Sequence, residues 1–464
     1  MLDKSSIASG NVSEGVSAKS IDASALALLY TQHIDNKLAR FQSLLNDTGY
    51  SAVVIASGSF KHHFQDDLSY PFKANPYFKE WLPLNKRRDA FLVVESATEK
   101  PTLYLACAED IWHTAPQALT NGFDKPFNII EYNDFATVKK GIANIKGEVA
   151  LIGELNLPEV AVSHWNPKAV INAIDFQRRS KTEYEQFCVR QANILAAPAH
   201  LAARDAFLAG GSEYEIAAAY LQACQCTESE MPYSIIAGIN EHAAVLHHYE
   251  LDKQRPQRPL SFLLDAGVDF NGYASDISRS YAFDSGSDFA AMIALLDKKQ
   301  LALVAAGAVG KSVVDLHALS HRAMAEVLIE FNLINVSVEA ALKSDLVKVF
   351  YPHGLGHHLG VNVHDKGAQL ANSKGDLLTA PKAYPTLRHT APMVANQIYT
   401  VEPGIYFIPS QLEKLRNSKT ASKVNWSQVD AFTPYGGIRI EDNIVLHSDG
   451  WLENLTRDAF SLIV

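Results

Sequence analysis

The stretch VFYPHGLGHHLGVNVHD, residues 349–365, holds four histidines, His353, His357, His358 and His364. Imidazoles at such density serve as metal ligands, proton carriers or hydrogen-bonding groups near neutral pH. Gly354, Gly356 and Gly360 fall in the same stretch and remove its helix propensity. The helical zinc motif, two histidines with a glutamate between them, is therefore absent together with its general base. In an extended segment, residues four apart point the same way. His353 and His357 then share a face, and His364 falls at an odd offset, toward the other face or past a bend. One histidine is usually a satisfied core residue. Four, on a backbone whose glycines permit close approach, point to a site.

The partners of these imidazoles are carboxylates elsewhere in the chain. In SFLLDAGVDFNGYASDISRSYAF, residues 261–283, Asn271-Gly272 between apolar runs is a strong hairpin signal. A two-residue loop there pairs Phe270 with Tyr273 and, barring a bulge, Asp265 with Ser278. Asp276 then shares the face of Ser278, diagonal to Asp265, about 7–8 Å away at the backbone. Asp269 reads as a solvated turn residue. Glu402 in TVEPG and Glu441 in GGIRIEDN each interrupt an apolar strand pattern. A buried, unpaired carboxylate there costs several kcal/mol, so each needs an arginine, a proton or a metal. Arg439 lies two residues from Glu441 on the same strand face, which leaves a structural ion pair open for that glutamate.

Together the candidates are four carboxylates and one imidazole. The set is rich in oxygen and lacks cysteine, which suits Mn²⁺, Co²⁺ or Fe²⁺ better than a structural zinc. Four negative charges and a neutral imidazole match two divalent cations. Two such ions about 3.5–4 Å apart can hold a bridging hydroxide and polarise a carbonyl or phosphoryl oxygen. The chemistry so implied is that of a dinuclear metallohydrolase.

A length of 464 residues leaves room for about two to three domains. Hydrophobic residues make up 47% and charged ones 20%, the balance of a soluble globular protein. A net charge of −10 argues against nucleic acid or an anionic membrane as partner, and no apolar run is long enough to span a bilayer. Residues 1–22 are expected to be a flexible tail, since MLDKSSIASGNVSEGVSAKS has no apolar signal region. Four cysteines in so long a chain form no disulfide framework, so free thiols and a cytoplasmic location are expected.

Residues 23–178 are expected to form an α/β domain. The spacing predicts a helix in ASALALLYTQHIDNKLARFQSLLNDTG and strands at SAVVIA, AFLVVE, TLYLA and VALIGE, with helices between them. Residues 179–464 are expected to be α+β. A long Ala-rich helix over 182–208 is followed by the capping-box spacing SEYE at 212–215. A helical interlude over 288–341 then interrupts the strands YSIIAG, SFLLDAG, SRSYAF, IYTVEPGIYF and GIRIEDNIVLH. The sheet there should be mostly antiparallel.

The ordered contexts LLDAG, ASDISRS, PHGLGHHLG, VEPGIYF and GGIRIEDN resemble the pita-bread metallopeptidases, over about residue 25 to the C-terminus. Within them they look most like the bacterial Xaa-Pro dipeptidases, or prolidases. FQDDLSYPFKANPYFKEWLP is similar to the branch also called organophosphorus acid anhydrolases. The resemblance implies a pita-bread catalytic domain with a curved, mostly antiparallel sheet. It implies that Asp265, Asp276, His357, Glu402 and Glu441 hold two Mn²⁺ ions (Co²⁺ being possible), with Glu402 also handling the proton of the attacking water. It implies that His353, His364 and His247 line the substrate site and support the tetrahedral intermediate. Arg388 and Arg439 match positions that hold a dipeptide's carboxylate, Tyr233 a pocket-lining tyrosine, and Asp67 a residue reaching a neighbouring subunit's pocket. A homodimer or higher homo-oligomer follows.

The chain departs from the family's Leu-His-Tyr in reading VLHHYE, so His247 or His248 can be the match. Ser278 and Ser280 replace the usual threonines and keep the hydroxyls. His358 is left over, as packing or support. The expected reaction is hydrolysis of Xaa-Pro dipeptides by a metal-bridging hydroxide, with organophosphate triesters as a side activity. The alternatives are an Xaa-Pro aminopeptidase acting on longer peptides and a non-catalytic pita-bread peptide-binding module.

Overall fold

A computed structural model describes residues 22–107, 111, 118–120, 122–154, 160 and 162–463. The tail expected at residues 1–22 lies, but for Asp22, outside them. The chain divides into two compact units. One runs up to Cys188 and includes Asn271–Tyr273 and Leu370–Leu377, and the other comprises the remainder.

The first unit opens with the expected helix, Ala23–Thr48. Asp22 caps its start, and Gly49 ends it at φ 78°, a left-handed turn that glycine adopts without strain. Tyr30, Ile34, Leu38, Phe41 and Leu45 recur at spacings of three and four and are buried, the stripe that ties the helix to the sheet. That sheet has six strands: β1 (Ala52–Ala56), β2 (Ala90–Glu95), β3 (Thr102–Ala106), β4 (Asn128–Tyr132), β5 (Val149–Ile152) and β6 (His164–Trp165), in the order β4-β3-β2-β1-β5-β6. It is mixed. β1–β2 and β2–β3 run antiparallel, whereas β1–β5, β3–β4 and β5–β6 run parallel. Patterning finds β1, β2, β3 and β5 because they are apolar and β-branched. It misses β4 and β6, which are largely exposed edge segments.

The second unit contains most of the long helix Glu183–Leu208. Ser212 then opens the helix Glu213–Cys224 with both hydrogen bonds of a capping box to Glu215. From residue 236 onward the strands are β7 (Ile236–Ile239), β8 (Ser261–Ala266), β9 (Asp269–Phe270), β10 (Tyr273–Ala274), β11 (Ile277–Ala282), β12 (Gln397–Val401), β13 (Gly404–Tyr406), β14 (Gly437–Arg439), β15 (Asp442–Leu446) and β16 (Leu452–Asn454). The pairings β7–β8, β8–β11, β12–β15, β15–β16 and β13–β14 are all antiparallel. Helices Asp288–Ala305 and Val313–Glu330 fill the interlude. Phe289, Leu296, Leu328, Phe350 and Phe407 belong to one apolar core cluster beneath the sheets.

The sequence pattern misleads in one informative place. IYTVEPGIYF and GIRIEDNIVLH each read as one strand, but each is two, broken at Glu402-Pro403 and at Ile440-Glu441. The carboxylates sit at the breaks. Asp442, fully buried, holds the second break in place. Its Oδ1 accepts from Arg279 Nη2 at 2.7 Å, and its Oδ2 from Arg457 Nε at 2.7 Å and Asn454 Nδ2 at 2.8 Å. Arg279 Nη1 in turn donates to the backbone oxygens of Ser278, at 2.9 Å, and Glu441, at 2.8 Å.

Burial alone would raise the Asp442 carboxyl, but Arg279 and Arg457 outweigh it and hold the group below its ordinary value. Its stabilisation is therefore present above the unfolded carboxylate value of about 3.9 and lost as pH falls through the folded one. Asp442→Asn is expected to cost about 3 kcal/mol, read from the urea midpoint near neutral pH. The gap to wild type should narrow in acid, and a pH-independent gap would contradict the ion-pair account.

Candidate metal centre

The hairpin count holds. Ser278 faces Asp265 and Ile277 faces Ala266, and Ser275 N donates to Val268 O at 2.9 Å, so no bulge intervenes. Asn271 and Gly272 have φ of 52° and 90°, both left-handed, as a tight hairpin turn requires. Asp276 lies just before β11, its N–H bonded to Asn443 Oδ1 at 3.0 Å. Tyr233 joins the two aspartates, with its hydroxyl 2.8 Å from Asp265 Oδ1 and 2.6 Å from Asp276 Oδ1. A phenol carries one proton, so both contacts bond at once only if one carboxyl is itself protonated.

The histidine segment comes against β12 through Gly356. A Cβ there would stand 2.0 Å from Thr400 O, so glycine is required for the approach. His357 N donates to Thr400 Oγ1 at 3.1 Å, and its Nδ1 lies 3.0 Å from His358 O. A carbonyl only accepts, so Nδ1 carries a proton and Nε2 is the nitrogen turned to the carboxylates. Nε2 stands 3.3 Å from Asp276 Oδ2 and 3.6 Å from Glu402 Oε1. Glu441 accepts from Ser278 Oγ at 2.9 Å, and its N–H bonds Ser278 O at 3.1 Å. Asp276, His357 and Glu441 each offer a donor atom, and these atoms lie within 4.8 Å of one another. Glu402 joins through His357, and Asp265 through Tyr233.

The electrostatics follow from crowding. Burial raises Glu441 well above the usual carboxylate range, and Asp276, Glu402 and Asp265 add their repulsion. Burial likewise lifts Glu402 to about 7, with His357 and Arg439 only partly offsetting it. Asp265 is raised by burial despite Arg439. Asp276 alone stays below its ordinary value, because bonds from His357 and Tyr233 outweigh its burial. Burial works to lower His357, but Asp276 and Glu402 raise it. Oxygen-rich donors crowded this way fit divalent cations. The ions would cancel the repulsion and take the His357 Nε2 lone pair, whose orientation the His358 carbonyl already fixes.

Arg439 is committed on three sides, to Asp265 Oδ2 at 2.7 Å, Ser278 Oγ at 2.8 Å and Tyr406 OH at 3.0 Å. Its ion pair is thus with Asp265 rather than with Glu441, the partner suggested by strand spacing. His353 Nδ1 lies 2.8 Å from Gly354 O and Nε2 lies 2.8 Å from Tyr406 OH. Nδ1 therefore donates, and Nε2 accepts the Tyr406 proton. Burial, with Arg439 beside it, pushes His353 down to about 3, which keeps it neutral.

His364 lies past a bend, exposed, its ring perpendicular to that of His357 at 4.4 Å. Burial of part of the ring, with His357 and Arg388 nearby, lowers it to about 4. The charge of His247 also acts on His364, whereas His248 Nε2 bonds Glu213 Oε2 at 2.8 Å. That separates the two histidines of VLHHYE. Arg388 is exposed and acts on both His353 and His364. Asp67 is exposed in the first unit. His358 is buried and packs its ring on His389 and Tyr399.

Sequence reasoning passed over Tyr406, which links Arg439 to His353, and Thr400, whose hydroxyl lies 3.4 Å from Glu402 Oε1.

A model of metallopeptidase family M24 matches residues 188–448, and one for the Xaa-Pro dipeptidase N-terminal domain matches residues 28–176. The chain is 40% identical over 435 residues to the Xaa-Pro dipeptidase of Pseudoalteromonas translucida (strain TAC 125), covering 93% of this chain and 98% of that one. It is 41% identical over 440 residues to that of Colwellia psychrerythraea, with the same coverage. Among solved structures, aminopeptidase P from E. coli in its low-pH form superposes with a TM-score of 0.70 at 20% identity, over 93% of this chain and 98% of that one. This likeness shows a common fold.

A carboxyl raised in the folded state stabilises below its unfolded value and loses that contribution as pH rises through the folded one. For Glu402 the window runs from about 4.3 to about 7. Chelator-treated protein is therefore expected to melt several degrees lower at about pH 8 than at about pH 5.5. Reloading with a divalent cation should remove most of that slope, and equal slopes with and without metal would contradict the crowding.

Proposed function

The chain belongs to metallopeptidase family M24, and on that premise we propose that it hydrolyses Xaa-Pro dipeptides at a centre of two divalent ions. The observation that carries this reading is the meeting of Asp276, His357 and Glu441 donor atoms within 4.8 Å, with Glu402 3.6 Å from His357 and Asp265 tied in through Tyr233. Relatives about 40% identical over 93% of the chain bear the name Xaa-Pro dipeptidase. In this proposal Asp265, Asp276, His357, Glu402 and Glu441 hold the ions. Mn²⁺ is the metal preferred by so oxygen-rich a set. When bound, the ions acidify a water and polarise the scissile carbonyl.

Glu402 carries the proton. A carboxylate held beside the attacking water can accept its proton and return it to the departing proline nitrogen. An amide nitrogen must be protonated to leave as an amine, and proline's leaves as a secondary amine. Tyr233 holds Asp265 and Asp276 in register. His353, kept neutral and oriented by Tyr406, lines the substrate site with His364 and His247. Arg388, exposed beside His353 and His364, receives the dipeptide carboxylate, with Arg439 behind it. The reading includes a division of labour in which residues 23–178 form the N-terminal domain and 179–464 the catalytic one. It also includes a cytoplasmic homodimer or higher homo-oligomer in which Asp67 reaches the neighbouring pocket. Among the described residues no helix is long and apolar enough to cross a membrane.

Glu402→Gln is expected to lower kcat on an Xaa-Pro dipeptide by at least about a hundredfold, the scale of a lost proton carrier, with metal content near wild type. Near-normal turnover would refute the assignment. Arg388→Ala should raise KM for dipeptides about tenfold or more, one charge-assisted contact being worth roughly 1.5–3 kcal/mol, with kcat less affected. The same panel should show dipeptide preferred over tripeptide, and equal rates would favour an aminopeptidase. A fluorophosphate assayed with Mn²⁺ tests the phosphotriesterase side reaction, and a rate no higher than metal alone would exclude it.

A further inference from the structure

We propose a second, separate transition-metal site built by Glu213, His242 and His248, suited to zinc. Glu213 is the first residue of the helix Glu213–Cys224, but Ser212 and Glu215 already cap that helix. The Glu213 side chain is 1% exposed, and it is bound from four directions. Oε1 accepts from Ile239 N at 2.9 Å and meets His242 Nδ1 at 2.8 Å. Oε2 accepts from Asp252 N at 2.8 Å and meets His248 Nε2 at 2.8 Å. The two rings lie 4.4 Å apart, and the three residues' ligand atoms fall within 4.8 Å of one another. Asp252 Oδ2, 4.0 Å from His242 Nδ1, stands ready as a fourth donor.

The two backbone N–H groups fix the carboxylate and leave each oxygen a lone pair directed at an imidazole. Two imidazoles, one carboxylate and a fourth position open to water or Asp252 make a tetrahedral zinc set, with bonds of about 2.0–2.2 Å. Nitrogen donors distinguish it from the oxygen-rich catalytic centre and bias it to zinc over manganese. Each ring donates an N–H to Glu213, since a carboxylate only accepts. On binding that proton moves to the ring's other nitrogen, and the freed lone pair takes the metal, so no charge is lost from the protein. His242 is 37% and Asp252 68% exposed at the side chain, which gives the ion a way in. The site also absorbs the extra histidine of VLHHYE, which the hydrolytic reading leaves without a role. An ion there would pin the turn that carries His247.

The bland alternative is a hydrogen-bonded clamp that holds this turn without metal. The test equilibrates the full-length protein and a His242→Asn/His248→Tyr variant with Zn²⁺, removes the unbound ion, and counts zinc per chain by mass spectrometry. Zinc at the catalytic centre cancels in the difference. Wild type is expected to retain one more zinc per chain than the variant, and Zn²⁺ should raise its melting temperature further. Equal zinc content in two folded proteins would overturn the proposal and leave the clamp. If the double variant folds poorly by circular dichroism, His242→Gln, which keeps a hydrogen-bond donor but loses the ligand, is measured in the same way with the same two outcomes.

Discussion

Four carboxylates confined in a largely dry space repel one another, and much of the second unit's polar architecture answers that repulsion. Each charge placed there raises the cost of the next. Asp265, Glu402 and Glu441 are driven toward protonation, while Asp276 stays ionised because His357 and Tyr233 bond to it. Arg439 contributes one permanent cation and spends it chiefly on Asp265. A group of this kind is costly without metal and favourable with it. Folding stability and metal binding are therefore two views of one free energy.

Holding such a group requires a backbone that cannot relax. Regular strands alternate their side chains and spread them along a face, whereas this centre needs them gathered. The chain gathers them at interruptions. Glu402 and Glu441 stand where strands break, and Asp276 stands just before β11 begins. Each interruption is then secured by hydrogen bonds: Glu402 N to Leu355 O, Asp276 N to Asn443, and the Arg279 guanidinium to the carbonyls of Ser278 and Glu441. Hydroxyls of Ser278, Thr400, Tyr233 and Tyr406 reach the acidic and basic groups from behind. They orient those groups without adding charge, which would have worsened the repulsion.

The histidines divide by burial. His357 is enclosed among the carboxylates and can only serve them. His364, His247 and Arg388 are exposed, where they can meet a solute. His353 lies between, tied through Tyr406 to Arg439, so a change at the arginine is relayed to the imidazole through one phenol.

The linear sequence determined the local part of all this. Asn271-Gly272 set a hairpin whose period-two count placed Asp265 opposite Ser278, because tight turns leave no freedom in register. Glycines beside His353 and His357 excluded a helix, and the Ser212–Glu215 spacing marked a helix start. Apolar runs located the central strands, while β4 and β6 escaped because exposed edges carry no such pattern. Only the tertiary structure decided which remote groups touch. Arg439 could have paired with Glu441 on its own strand, yet it pairs with Asp265 across the fold. His247 and His248 are neighbours in sequence but turn to different partners. Two apparently continuous strands each break at the glutamate they carry. These choices depend on distances between segments 35 to 174 residues apart along the chain, and local propensity contains no information about such distances.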